Sequence, residues 1–146
     1  MRALRIASAF LLSLVLASSV AHLASPEEPK GSMPPNMAVV YMVLLKKGPS
    51  WTPQQTAETK AVQEAHMANI RALWAAKKMI VAGPFGDDGD LRGVFIFDVA
   101  SLEEAKALAA TDPAVKAGRL AAEIHPWWVE RRALPETGSY CQAAAP

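Results

Sequence analysis

Cysteine is almost missing from this chain. Cys141 is the single thiol, which excludes an intrachain disulfide, so the fold has to be held by its core. An excess of one charge is missing too. The 15 basic and 14 acidic side chains leave a net charge of +1 and form no long run of one sign, so there is no electrostatic footprint for nucleic acid. Aromatic residues are only 7% of the chain and no basic stripe accompanies them, which points the same way. Gly-rich phosphate cradles, a nucleophile elbow and tightly spaced metal ligands are also absent. This argues against phosphoryl transfer, triad hydrolysis and zinc chemistry, and neither a metal nor another cofactor is expected.

What is present divides into one domain and two appendages. The first residues carry Arg2 and Arg5, an apolar stretch from Ile6 to Ala17, and small residues ending at Ala21 or Ala24. That is the pattern of a signal peptide over residues 1–21, with cleavage at 24 as an alternative, and it implies a periplasmic or secreted protein without a membrane anchor after cleavage. The apolar stretch is shorter than the ~20 residues a spanning helix needs. Residues 25–36 hold four prolines and no apolar periodicity, as in an extended linker. Residues 131–146 lose periodicity again and read as a flexible tail. Their Leu134-Pro135-Glu136-Thr137-Gly138 has the form of a sortase signal but lacks the hydrophobic span and basic end such a signal needs.

Residues 37–130 form the expected domain. Met37 to Leu45 is β-branched and apolar, a strand buried on both faces. Thr52-Pro53 is a helix-start signal, and helix formers continue to Lys78. Met79 to Phe85 and Gly93 to Val99 are two further strands, joined as a hairpin through the Asp- and Gly-rich turn at residues 86–90. Ser101 with Glu104 makes a capping box for a second helix, and Asp112-Pro113 restarts a short helical turn that Gly118 should end. Leu120 to Val129 is a fourth strand. The order predicts an α+β, ferredoxin-like βαββαβ fold: a four-stranded antiparallel sheet with two helices on one face. Because the first strand is apolar on both faces, a homodimer is expected, with two sheets closing a dimeric α+β barrel.

One histidine lies where proton chemistry is feasible. At about 100° per residue, Val62, Ile70 and Leu73 fall within about 40° of His66, with Asn69 and Trp74 flanking that stripe. A free imidazole titrates near ~6.5 and can exchange protons at neutral pH. Asp87 and Asp88 on the turn, or Asp112, are the candidate carboxylate partners, with Asp88 preferred to Asp87. As turn residues the first two need no such role, and Asp112 is explained as an N-cap. Tyr41, Asn69, Trp74, Phe85 and Trp127 are candidate pocket residues.

Gly48-Pro49, Trp51, the helical His66, Ala82-Gly83-Pro84-Phe85 with Asp87-Asp88-Gly89, Ser101-Leu102-Glu103-Glu104-Ala105, Asp112-Pro113, Gly118 and Pro126-Trp127-Trp128 together resemble the YCII-related (YciI-like) family. The resemblance spans about Met37 to Val129. It implies a dimeric α+β barrel whose site uses the helix histidine and an aspartate, and the family includes a lyase-type dehydrochlorinase. Compact members often place an acid late in the same helix, where this chain has LWAAKK. The expectation is therefore an exported, cofactor-independent enzyme using His66 as general acid or base on a small, aromatic or hydroxylated molecule. The alternative is a non-catalytic binding module or structural dimer in the periplasm.

Overall fold

The computed structural model describes residues 31–134. The expected signal peptide, the first half of the linker, and the tail from residue 135 on, with Cys141, lie outside the described residues. Strand β1 (Met37–Lys47) leads into helix α1 (Ala57–Ala75), followed by β2 (Met79–Pro84) and β3 (Leu91–Phe97). Helix α2 (Leu102–Thr111), the single turn α3 (Pro113–Lys116) and β4 (Leu120–Glu130) complete the βαββαβ order, and one 3-10 turn (Arg131–Ala133) follows. The sheet runs β2-β3-β1-β4, every pair antiparallel. No helix among the described residues is long and apolar enough to cross a membrane.

Helix α1 is shorter at both ends than the Thr52–Lys78 expected from the sequence. Its N-cap is Thr56, whose hydroxyl accepts from the Thr59 amide while the Thr59 hydroxyl accepts from the Thr56 amide. Pro53 would suit a first turn, but the preceding segment is tied elsewhere. The Gly48 and Ser50 amides donate to the carbonyls of Arg119 and Gly118, so the chain crosses the end of the sheet before it can coil. At the other end Lys77 takes φ 57°, with its amide on the Trp74 carbonyl and that of Lys78 on the Leu73 carbonyl. This is a Schellman termination, made here by a lysine in the left-handed region that glycine usually fills.

Alternation along the strands sorts the sheet into two apolar faces. Toward the helices lie Tyr41, Val43 and Leu45 of β1, Phe95 and Phe97 of β3, and Leu120 and Ile124 of β4, packed on Leu73, Leu102, Ala105 and Ala109. Burying each such Phe contributes about 1.5–3 kcal/mol. On the other face Val40, Ile80, Ile96 and Val129 form a second cluster with Ala38, Met42, Val94 and Leu134. The apolarity expected for that face is thus present, and Val81 and Trp127 are exposed.

Two irregularities interrupt the alternation. In the β1–β3 ladder Leu45 opposes Gly93 and Lys46 opposes Leu91, so Arg92 is an extra residue with no partner on β1. Ile80 is likewise skipped between the Met79–Phe97 and Val81–Ile96 pairs. Bulges of this kind re-aim a side chain that strict alternation would send to the opposite face.

Candidate active site

Helix α1 turns His66 toward the sheet, where its ring stacks on Phe95 with centroids 5.8 Å apart and an interplanar angle of 28°. The Ser101 hydroxyl caps α2 by accepting from the Glu104 amide. The Glu104 carboxylate, expected to reach back to the cap residue, instead accepts from the Ala100 amide and pairs with Lys78. Those bonds hold its carboxyl below the usual carboxylate range, the Lys78 hydrogen bond being the larger cause. With α2 fixed in this way, Asp112 stands at the junction of α2 and α3.

Asp112 is wholly buried, and its carboxylate is fully engaged. One oxygen accepts from the Ala114 and Val115 amides at 2.9 and 3.3 Å, which caps α3. The other accepts from Asn69 Nδ2 at 3.2 Å, and both lie 2.8–2.9 Å from His66 Nδ1. A carboxylate surrounded by donors fixes the imidazole tautomer: Nδ1 carries the hydrogen, and Nε2 keeps its lone pair. Nε2 makes no hydrogen bond with the described residues. A buried carboxylate is tolerated only where partners replace its hydration, and here there are four.

The same histidine lines a cavity of about 400 Å³. Phe95, Leu45, Ile70, Met67, Trp51 and Arg92 supply most of its character, and Gln63 sits at the rim. A second, outer recess shares Trp51, Gln63 and Arg92 with it and adds Arg119, Glu64 and Asp88. Around Trp51 stand three cations, with Arg92, Arg119 and Lys47 at 5.1, 5.3 and 5.9 Å from the ring centre.

Of the sequence-derived candidates, the structure brings together His66, Asp112 and Asn69. Asp87 and Asp88 do not reach the imidazole: the Asp87 carboxylate caps its own turn through the Gly89 amide, and Asp88 lines the outer recess and receives Lys47 on its carbonyl. The preference for Asp88 is corrected on that ground, because the β2–β3 turn is tied to its own backbone and to Lys47 and Arg92 rather than to His66. None of the other proposed pocket residues lines the cavity. Tyr41 is sheet core and Trp74 packs at the core edge. Phe85 is exposed just past the end of β2, and Trp127, opposite Val40, is on the face away from the helices.

Sequence reasoning missed Trp51, Gln63, Met67, Arg92 and Phe95. Gln63 was findable as the residue one turn before His66 on the same helix face, and Phe95 by alternation from Gly93, whereas Met67 lies about 100° round the helix from His66. Arg92 was not, since alternation assigns it to the wrong face. Among the described residues no group of three or more His, Cys, Asp or Glu could hold a metal.

A ferredoxin-like sheet carrying a buried His–Asp pair at the wall of a partly open cavity defines a class of α+β proteins. Within it, the chain belongs to the YCII-related domain family, matched over residues 39–128. Among solved structures it is similar to 5-chloro-2-hydroxyhydroquinone dehydrochlorinase from Burkholderia phenoliruptrix AC1100, in complex with 2,5-dihydroxybenzoquinone. The identity is 27%, over 60% of this chain and 92% of that one, with a TM-score of 0.44. No curated protein matches the chain.

Proposed function

We propose that this chain is an enzyme of cofactor-independent acid–base chemistry on a small molecule, with His66 as the base and Asp112 as its positioning carboxylate. The observation that carries the reading is the Asp112–His66 pair at 2.8 Å, set in the wall of a cavity rather than sealed in the core. Nε2 takes a proton from an activated carbon of the substrate. The electron pair left behind forms a double bond, and either a leaving group departs with its own pair or the proton returns to a different carbon. The buried carboxylate stabilises the imidazolium that exists between these steps. Elimination and isomerisation both fit a single proton shuttle, and dehydrochlorination is one such elimination.

The reading is tested by deuterium uptake. The protein is incubated in heavy water with a panel of ketones and hydroxyquinones that carry an acidic C–H, and exchange is followed by NMR. The expected result is uptake on the order of 10²–10⁴ faster than with His66→Gln for at least one compound. If compounds bind and stabilise the protein but none exchanges faster than in buffer, the cavity belongs to a binding module and the catalytic reading is wrong.

The charged and apolar N-terminal residues support export to the periplasm or beyond. Mass spectrometry of the exported protein would then find its first residue at His22 or Ser25, and an intact N-terminus would refute this. The apolar second face of the sheet, with Trp127 exposed on it, supports a homodimer formed through that face.

A further inference from the structure

The cavity beside His66 holds a charge that proton transfer does not require. Among the described residues, Arg92 is the only Lys or Arg that lines it, and no Asp or Glu does so. The acids nearby, Glu64 and Asp88, are confined to the outer recess. The bulge in β3 sends Arg92 to this side.

Its guanidinium is only partly committed. Nη1 donates to the carbonyls of Asp87 and Gly89, at 2.9 and 3.3 Å, which anchors the side chain to the β2–β3 turn. Nε is buried without any acceptor, and Nη2 makes no hydrogen bond with the described residues. Nε has no surface open to a ligand, so the uncommitted nitrogen is Nη2, whose N–H groups suit a carboxylate oxygen through a charge-assisted bond. One face of the group is held over Trp51 at 5.1 Å.

The neighbours raise the local positive potential further. Arg119 lies against the same indole, donates Nη2 to the Thr52 carbonyl at 3.1 Å, and leaves Nη1 buried without a partner. Lys47 gives its ammonium to the Asp88 carbonyl. None of these three cations forms an ion pair with an acid among the described residues. Three positive charges gathered around one indole without an ion pair repel one another in the empty protein, and a bound anion offsets that repulsion.

We propose that the cavity takes a small organic carboxylate whose carboxylate seats on Nη2 of the Arg92 guanidinium and whose carbon body lies over Phe95 beside His66. This deepens the reading of the cavity as a substrate site and rests on it. The volume of about 400 Å³ suits a ring or a short chain, and Leu45, Ile70, Met67 and Phe95 offer that body an apolar wall. The charge fixes orientation: with one end held at Arg92, the opposite end faces the imidazole. Nothing at Arg92 resembles a phosphate cradle, which gathers several backbone amides at a glycine-rich turn.

Calorimetric titration of the protein tests this with benzoate, phenylacetate, cyclohexanecarboxylate and butyrate, each beside its primary amide, and with inorganic phosphate as a competitor. At least one acid should bind about tenfold or more tighter than its amide, as charge-assisted bonding to a guanidinium requires. In Arg92→Gln that preference should fall to within about twofold while the amide still binds, which shows the cavity intact. Arg92→Lys keeps the charge and a donor for the turn carbonyls but has no second nitrogen to serve as Nη2, so it should retain only a fraction of the preference; it decides the matter if the Gln variant does not fold. His66→Gln should keep the preference and lose deuterium exchange, so failure of the catalytic reading and failure of this one give different results. Equal binding of acid and amide, no binding of any acid, a preference that survives Arg92→Gln, or phosphate competing as strongly as the best acid would each overturn the proposal.

Discussion

Asp112 does two jobs with one carboxylate, and the two separate on substitution. Asparagine is as good an N-cap as aspartate, so Asp112→Asn should still accept from the Ala114 and Val115 amides and cost only about 1 kcal/mol in thermal or denaturant unfolding. Its amide nitrogen, however, presents a donor where His66 Nδ1 already carries hydrogen. Where that nitrogen faces Nδ1, the imidazole is expected to switch tautomer and place its hydrogen on Nε2, which removes the base. The expected loss of exchange activity is on the order of 10³–10⁴, as for other triad-type aspartates. Nitrogen-15 NMR of the ring reads the tautomer directly; a spectrum unchanged from wild type would show that Asp112 does not set it. Asp112→Ala removes cap and partner together and should cost about 3–5 kcal/mol.

At the scale of elements, the places where a cap or an alternation dictates geometry were legible, and the places where contacts distant in sequence decide were not. Ser101 and Asp112-Pro113 cap helices where the sequence puts them, and Gly118 at φ 67° ends the short turn. The start of α1 was misplaced because Gly48 and Ser50 are claimed by Arg119 and Gly118, some 70 positions on in the chain. The pairing of His66 with Asp112 was open for the same reason: it depends on how α3 packs against α1, and the nearer aspartates in sequence are not nearer in space. The termination of α1 gives a prediction of its own. Lys77 holds a left-handed conformation that costs a side chain about 1 kcal/mol. Lys77→Gly should raise unfolding free energy by about that amount with no change in ligand binding; a loss of stability would mean that the lysine side chain contributes more than its backbone costs.

Across the whole molecule, the two faces of one sheet carry different duties. The helix side holds the cavity. The other carries the apolar cluster and, at its edge, Lys46, Glu123 and His125 in one ionic group. The hydrogen bond with Lys46, and then that with His125, keeps the Glu123 carboxyl below its ordinary range, and Glu123 in turn raises Lys46. If two copies meet on this face, Trp127→Glu should convert a dimer into a folded monomer in sedimentation velocity, with an unchanged circular dichroism spectrum. A wild-type monomer at every concentration would dispose of the dimer.

The bulge at Arg92 has a consequence for how such a protein can change over generations. Because that residue opposes nothing on β1, loss of a single codon would delete the cation from the cavity while leaving Leu45 to Tyr41 paired with Gly93 to Phe97 as before. Charge preference can thus be gained or lost by a one-residue insertion or deletion, a larger step in ligand chemistry than most substitutions allow, with the disturbance falling on the β2–β3 end of the sheet, where the Arg92 carbonyl accepts from the Phe85 amide and its side chain holds the turn.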